Sequence, residues 1–138
     1  MSWQAYALLS AIAAGATAVL AKLGVEGVPS NLATAVRTIV ILALSGAIVM
    51  ARGEHHALGT ISRRSLVFLV LSGLATGLSW LAYYRALQLG PASRVAPIDK
   101  LSLAFTVLLA VPVLGEPLTL RVGLGVALMI AGALLTLS

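Results

Sequence analysis

Apolar stretches long enough to cross a bilayer recur along this chain, and that property restricts its fold more than any other. A hydrocarbon core about 30 Å thick is spanned by a helix of about 20 predominantly apolar residues. Five segments qualify, at roughly Trp3–Leu23, Asn31–Ala51, Ser65–Gln88, Ser93–Leu114 and Leu118–Leu137. The segments are continuously apolar instead of alternating, which argues against a β-barrel. Only 9% of the 138 residues are charged and 60% are hydrophobic. A soluble domain carries about 25% charge, so this chain has no polar skin to offer water. The expectation is an all-α integral membrane protein of five transmembrane helices forming a single domain over residues 1–138. The first segment, "MSWQAYALL", lacks the basic residues that precede the apolar stretch of a signal peptide, so it reads as a retained helix.

The breaks between spans carry turn chemistry, in "GVPSN", "LGPAS" and "GEPLT", and Asn31, Ser65 and Ser93 are the expected N-caps. The one long connection is "RGEHHALGTISRR". Tight connections make consecutive helices antiparallel. Lys22, Arg37, Arg85, Arg94 and Lys100 then fall towards one membrane face with Asp99, and Arg52, Arg63, Arg64 and Arg121 towards the other. Five Lys/Arg against four gives the positive-inside rule almost no bias to read. The net charge of +5 is scattered, with no basic cluster, so nucleic acid is not an expected partner. With no cysteine, disulfides and thiolate chemistry are excluded, and no metal or cofactor is expected.

Helical spacing sorts residues into faces. In the third segment Ser72, Gly73, Thr76, Gly77, Ser79, Trp80, Tyr83 and Tyr84 share one arc, while Leu71, Leu74, Leu78 and Leu81 lie outside it. The other early segments also present polar stripes: Gln4, Ala11, Gly15, Ala18 and Lys22; Thr34, Arg37, Thr38 and Ser45; and Asp99, Ser102 and Thr106. Such faces suit a hydrated path, for which Trp80, Tyr83, Tyr84, Thr76 and Ser102 are the candidate lining. Simpler readings compete. Gly73-x-x-x-Gly77 is a common packing pattern. Trp3 fits an interfacial belt, and Lys22 and Arg85 are close enough to helix ends to snorkel.

Asp99 is the most informative residue. It lies about 9 Å into its helix, and a carboxylate at span depth costs about 2.5–3.5 kcal/mol on insertion scales. A cationic partner is expected. Lys100 is about 100° away around the helix, so Lys22, Arg37 and Arg85 are the better candidates for a gating ion pair. Pro97 lacks an N–H and frees the carbonyl of Ser93, irregularity that span depth tolerates only beside protein or water.

"YYRALQLGPASRVAPIDKLSLAFTVLLAVPVLGEPLT", Tyr83–Thr119, resembles the EamA domain of the drug/metabolite transporter superfamily, in particular its five-helix bacterial and archaeal branch. "AKLGVEGVPS" and "TAVRTIVIL" fit the earlier part of that domain. The resemblance implies one five-helix half-transporter bundle, of which larger relatives carry two inverted copies enclosing a central path. Substrates across the superfamily include amino acids, nucleotide sugars, triose phosphates and cationic drugs. Small multidrug-resistance relatives couple protons through a glutamate in the first helix, and here that helix has no acid.

The expected function is secondary transport of small metabolites or drug-like solutes, in the inner or plasma membrane of a prokaryotic cell. The expected partner is a second, antiparallel copy of the chain or a paralogous half-transporter, with Gly125 and Gly132 in the interface. An enzyme is not expected. His55 and His56 are adjacent and in a loop, and Asp99 is the only acid well inside a span. The rival is a non-transporting scaffold or accessory subunit.

Overall fold

The computed structural model describes residues 2–137, which are helical with short connections and contain no strand. The elements are α1 (Trp3–Gly24), α2 (Ser30–Ala51), a 3₁₀ helix (Glu54–Thr60), α3 (Arg63–Leu89), α4 (Ala92–Asp99), α5 (Ser102–Leu114) and α6 (Leu120–Leu135). Four stretches are long and apolar enough to cross a membrane: α1, α2, α3 and Ala92–Leu114. The last helix, α6, is apolar but has 16 residues, about 24 Å of rise. It is thus shorter than the span expected at Leu118–Leu137. It begins where Thr119 caps it, the threonine Oγ1 accepting from Val122 N at 3.3 Å.

The fourth span departs most from a simple helix. It is interrupted after Asp99 and resumes at Ser102. Pro97 sits inside α4, and the backbone beyond it tightens. Leu101 N donates to Ile98 O at 2.9 Å, Leu103 N to Lys100 O at 3.0 Å and Ala104 N to Leu101 O at 3.0 Å. These three-residue steps are 3₁₀ bonds, which keep backbone donors occupied where a proline has removed one from the α ladder.

The expected N-caps are corrected. The N-cap positions of α2 and α4 are Pro29 and Pro91, neither offering a side-chain bond, so Asn31 and Ser93 lie inside their helices. Proline suits these places because the first N–H groups of a helix have no intrahelical partner to lose. For α3 the capping oxygen is that of Ser62, which accepts from Ser65 N at 3.0 Å, so Ser65 is the recipient. The α5 helix ends on Gly115 at φ 69°, whose N–H reaches Val111 O at 3.1 Å. That left-handed stop explains the glycine of "LGE".

The chain divides into two compact units. One, Ala21–Gln88, holds the last turn of α1, then α2, the 3₁₀ helix and α3. Its buried residues are Ala21, Val25, Ser30, Thr34, Tyr84 and Leu87. The other combines the chain up to Leu20 with the chain from Leu89 onward. Within it α6 contacts both α4 and α5, with Ala18, Ala104 and Ala133 buried. Elsewhere the helices show leucine, valine and isoleucine outward, including Leu71, Leu74, Leu78 and Leu81 of the lipid-like face of α3.

Candidate functional site

Within the Ala21–Gln88 unit, the last three turns of α3 carry an aromatic cluster. Trp80 and Tyr83 meet edge-on with ring centroids 5.5 Å apart, and Trp80 and Tyr84 lie 5.9 Å apart. Tyr83 and Tyr84 complete the group at 6.5 Å. All three separations fall in the range where aromatic pairs attract. The expected aromatic arc is thus a real cluster. Tyr84 is buried and Trp80 and Tyr83 are half-buried, whereas Ser72, Gly73, Thr76, Gly77 and Ser79 on the same arc are exposed.

Arg37 of α2 joins this cluster. Its guanidinium carbon lies 3.2 Å from the centroid of Trp80 and 6.0 Å from that of Tyr84. The first separation is stacking contact, a cation–π interaction of about 2 kcal/mol when desolvated. Arg37 is the eighth residue of α2 and Trp80 lies nine before the end of α3. Both are therefore more than about 10 Å from those helix ends.

At the end of α3 the remaining polar groups tie the connections together. Lys22 Nζ donates to Leu87 O at 2.6 Å, a cation on a C-terminal carbonyl that has no intrahelical donor. Gln88 Nε2 donates to Val28 O at 2.6 Å, with a longer contact to Val25 O at 3.5 Å, fastening the α1–α2 connection. Arg85 donates from Nη1 to Gln88 Oε1 at 3.1 Å. Gln88 was not singled out from sequence, and the available signal was modest: an amide in the last turn of an otherwise apolar helix. Lys22 acts here as a cap.

In the other unit, Asp99 Oδ2 faces Lys100 Nζ at 3.3 Å. The two residues are adjacent, and on a continuous helix they would diverge. The contact lies at the α4–α5 break. Ser102 and Thr106 follow on α5, with Thr106 Oγ1 donating to Ser102 O at 2.9 Å.

That last bond is one of a set. Thr34, Thr38, Ser45 and Thr76 also donate to carbonyls one turn back, at 2.9, 2.9, 2.9 and 2.8 Å. A hydroxyl used in this way is satisfied by its own helix. Hydroxyl stripes therefore do not by themselves require a hydrated cavity, and the aromatic–arginine cluster becomes the better marker. Accordingly, Thr76→Val should leave the folded yield and solute flux within about twofold of the parent, because the hydroxyl lost bonds only a carbonyl of its own helix and an exposed substitution of that kind costs only about 0.5 kcal/mol. Flux into liposomes checks this, and a severe loss would identify Thr76 as a lining residue. Gly125 and Gly132 are exposed on α6, and a Cβ at either would meet nothing within 4 Å.

A chain of membrane-length helices with charged and aromatic groups held at span depth has the build of a membrane carrier. The pattern of the EamA-like transporter family matches residues 1–138, and the chain belongs to that family. It is 55% identical over 134 residues to a Sinorhizobium protein named "Uncharacterized transporter in cobO 3'region", covering 97% of this chain and 95% of that one. No solved structure matches. The protein is thus an integral membrane protein of a transporter family, as its sequence resemblance implied.

Proposed function

We propose that the chain is half of a secondary transporter, moving small metabolites or drug-like solutes by alternating access as an antiparallel homodimer of five-span subunits, without enzymatic chemistry. The observation that carries this reading is the Arg37–Trp80–Tyr84 contact, a charged and aromatic surface held at span depth. Aromatic faces with few strong hydrogen bonds suit a pocket that must release its ligand. The path is lined by Trp80, Tyr83 and Tyr84, and Asp99 closes one end of it by pairing with Lys22 or Arg85. Purified protein in liposomes, offered labelled amino acids, organic anions and organic cations, tests the reading directly. Flux above protein-free vesicles separates a transporter from a scaffold or accessory subunit.

The dimer proposal rests on the near balance of Lys/Arg between the two ends and on the open space around Gly125 and Gly132. Small residues allow close helix approach in lipid, and two inverted copies reproduce the repeat of larger transporters. With no native cysteine, Ser2→Cys gives a single reporter. About half of it should label from outside intact cells and the rest after permeabilisation, since a charge difference of one sets no strong orientation. Labelling from one side only would leave a parallel dimer or a paralogous partner in its place.

A further inference from the structure

We infer that the Arg37–Trp80 stack is a recognition site for a small carboxylate-bearing organic anion, which the transporter carries. This deepens the transport reading and rests on it. The guanidinium offers its face to the indole at 3.2 Å. Stacking uses that face and leaves the five N–H donors around the edge of the group. Among the described residues, no hydrogen bond or ion pair to those donors is recorded, and the two ion pairs found elsewhere are Arg52–Glu54 and Lys100–Asp99. Arg37 is only half-buried, so its edge is reachable. An arginine at span depth with its edge unmatched is costly, and a bound anion or water must meet it.

The surroundings specify the sign of the ligand. Helices α2 and α3 contain no aspartate or glutamate, and neither does α1. The acids of the Ala21–Gln88 unit are Glu26 and Glu54, both outside the spans, and Glu54 faces Arg52 at 3.7 Å. Lys22 adds positive charge in the last turn of α1, and Arg85 just before the last turn of α3. A cationic solute arriving at the α2–α3 cluster meets like charge and no carboxylate on either helix. A carboxylate finds a planar fork that it can engage with two parallel bonds. The stack holds that fork in one orientation, which reduces the rotamer freedom lost on binding. Tyr83 and Tyr84, beside Trp80, supply ring contacts for the apolar part of the same solute.

Trp80 is also a built-in reporter. The chain has two tryptophans, so in a Trp3→Phe background the emission comes from Trp80 alone. The probes are benzoate, benzyl alcohol and benzylammonium, which share a ring and differ in charge. Benzoate should shift the Trp80 emission saturably, and the other two should give only the weak, linear change of partition into the bilayer. Arg37→Gln should weaken benzoate binding at least tenfold, and Arg37→Lys, which keeps charge but loses the fork, by a smaller factor. If Arg37→Gln does not fold, the Lys variant and the probe comparison still decide. Equal response to benzoate and benzyl alcohol, or unchanged benzoate binding in the Lys and Gln variants, overturns the proposal. Labelled benzoate uptake into liposomes separates this site from the wider reading. Saturable binding without uptake upholds the anion site and removes transport. Uptake of benzylammonium with no benzoate binding upholds transport and removes the anion site.

Discussion

Asp99→Asn should reduce solute flux at least tenfold while leaving the amount of folded protein within about twofold. The expectation follows from where the residue sits. Asp99 ends α4, at the point where Pro97 has loosened the helix and 3₁₀ bonds carry the backbone into α5. A conformational step that opens and closes a path needs an element with two arrangements, and an interrupted span supplies one. Removing one member of a buried charge pair can cost about 3–5 kcal/mol, because the partner charge is left uncompensated. The structure records Lys100 at 3.3 Å, with both side chains well short of full burial, so the pair seen there is worth much less than that. On the gate proposed above, the large effect would come from a state in which Asp99 exchanges Lys100 for Lys22 or Arg85. Double mutants separate the two pairs. If the exchange operates, Asp99→Asn with Lys22→Gln retains more flux than the product of the single effects, and Asp99→Asn with Lys100→Gln does not. Wild-type flux in Asp99→Asn would remove the residue from the gate altogether.

Trp80→Ala should have a comparable effect on flux for a different reason. The indole touches the Arg37 guanidinium and both tyrosines, so its loss disperses the whole cluster. Truncating a tryptophan in a well-packed site costs about 3–5 kcal/mol, but Trp80 is only half-buried, which lowers that figure for the fold. Flux should fall more than tenfold, with expression and dimerisation near normal. Trp80→Phe, which keeps a ring under the guanidinium, should recover part of the activity. A parallel fall in folded protein for Trp80→Ala would show that the indole acts as packing. Detergent-solubilised yield measured beside liposome flux separates the outcomes.

Much of this architecture is legible in the sequence because lipid imposes a coarse rule. Backbone groups without water must be satisfied inside a helix, so long apolar segments announce their own structure. The aromatic face of α3 was readable from helical spacing for the same reason: three rings within one arc must meet when the helix forms. What was not readable depended on contacts between helices or on local backbone. The partner of Arg37 is a ring, although charge counting pointed to a carboxylate. The ammonium of Lys22 goes to a carbonyl at the end of α3, a group that sequence patterns do not display. The Asp99–Lys100 contact lies where the helix stops before Ser102, a boundary that Pro97 hinted at without locating. The serine and threonine stripes were legible only as spacing. Their spacing was correct, but hydroxyls bonded within their own helix carry little information about water.

The joint between α4 and α5 has an electrical consequence. Its two ionised groups, Asp99 and Lys100, carry opposite charges, sit side by side and sum to zero. A charge moved across a membrane potential exchanges about 2.3 kcal/mol per 100 mV. Displacing the joint as a whole moves no net charge through that field. While the pair stays together the resting potential has no purchase on it, and voltage acts on that movement through the charge of the cargo. Imposing a potassium diffusion potential on proteoliposomes should change uptake of a charged solute and leave uptake of a neutral one unaltered. A voltage-dependent rate for a neutral solute would mean that another charge of the protein, Arg37 foremost, travels through the field during the cycle.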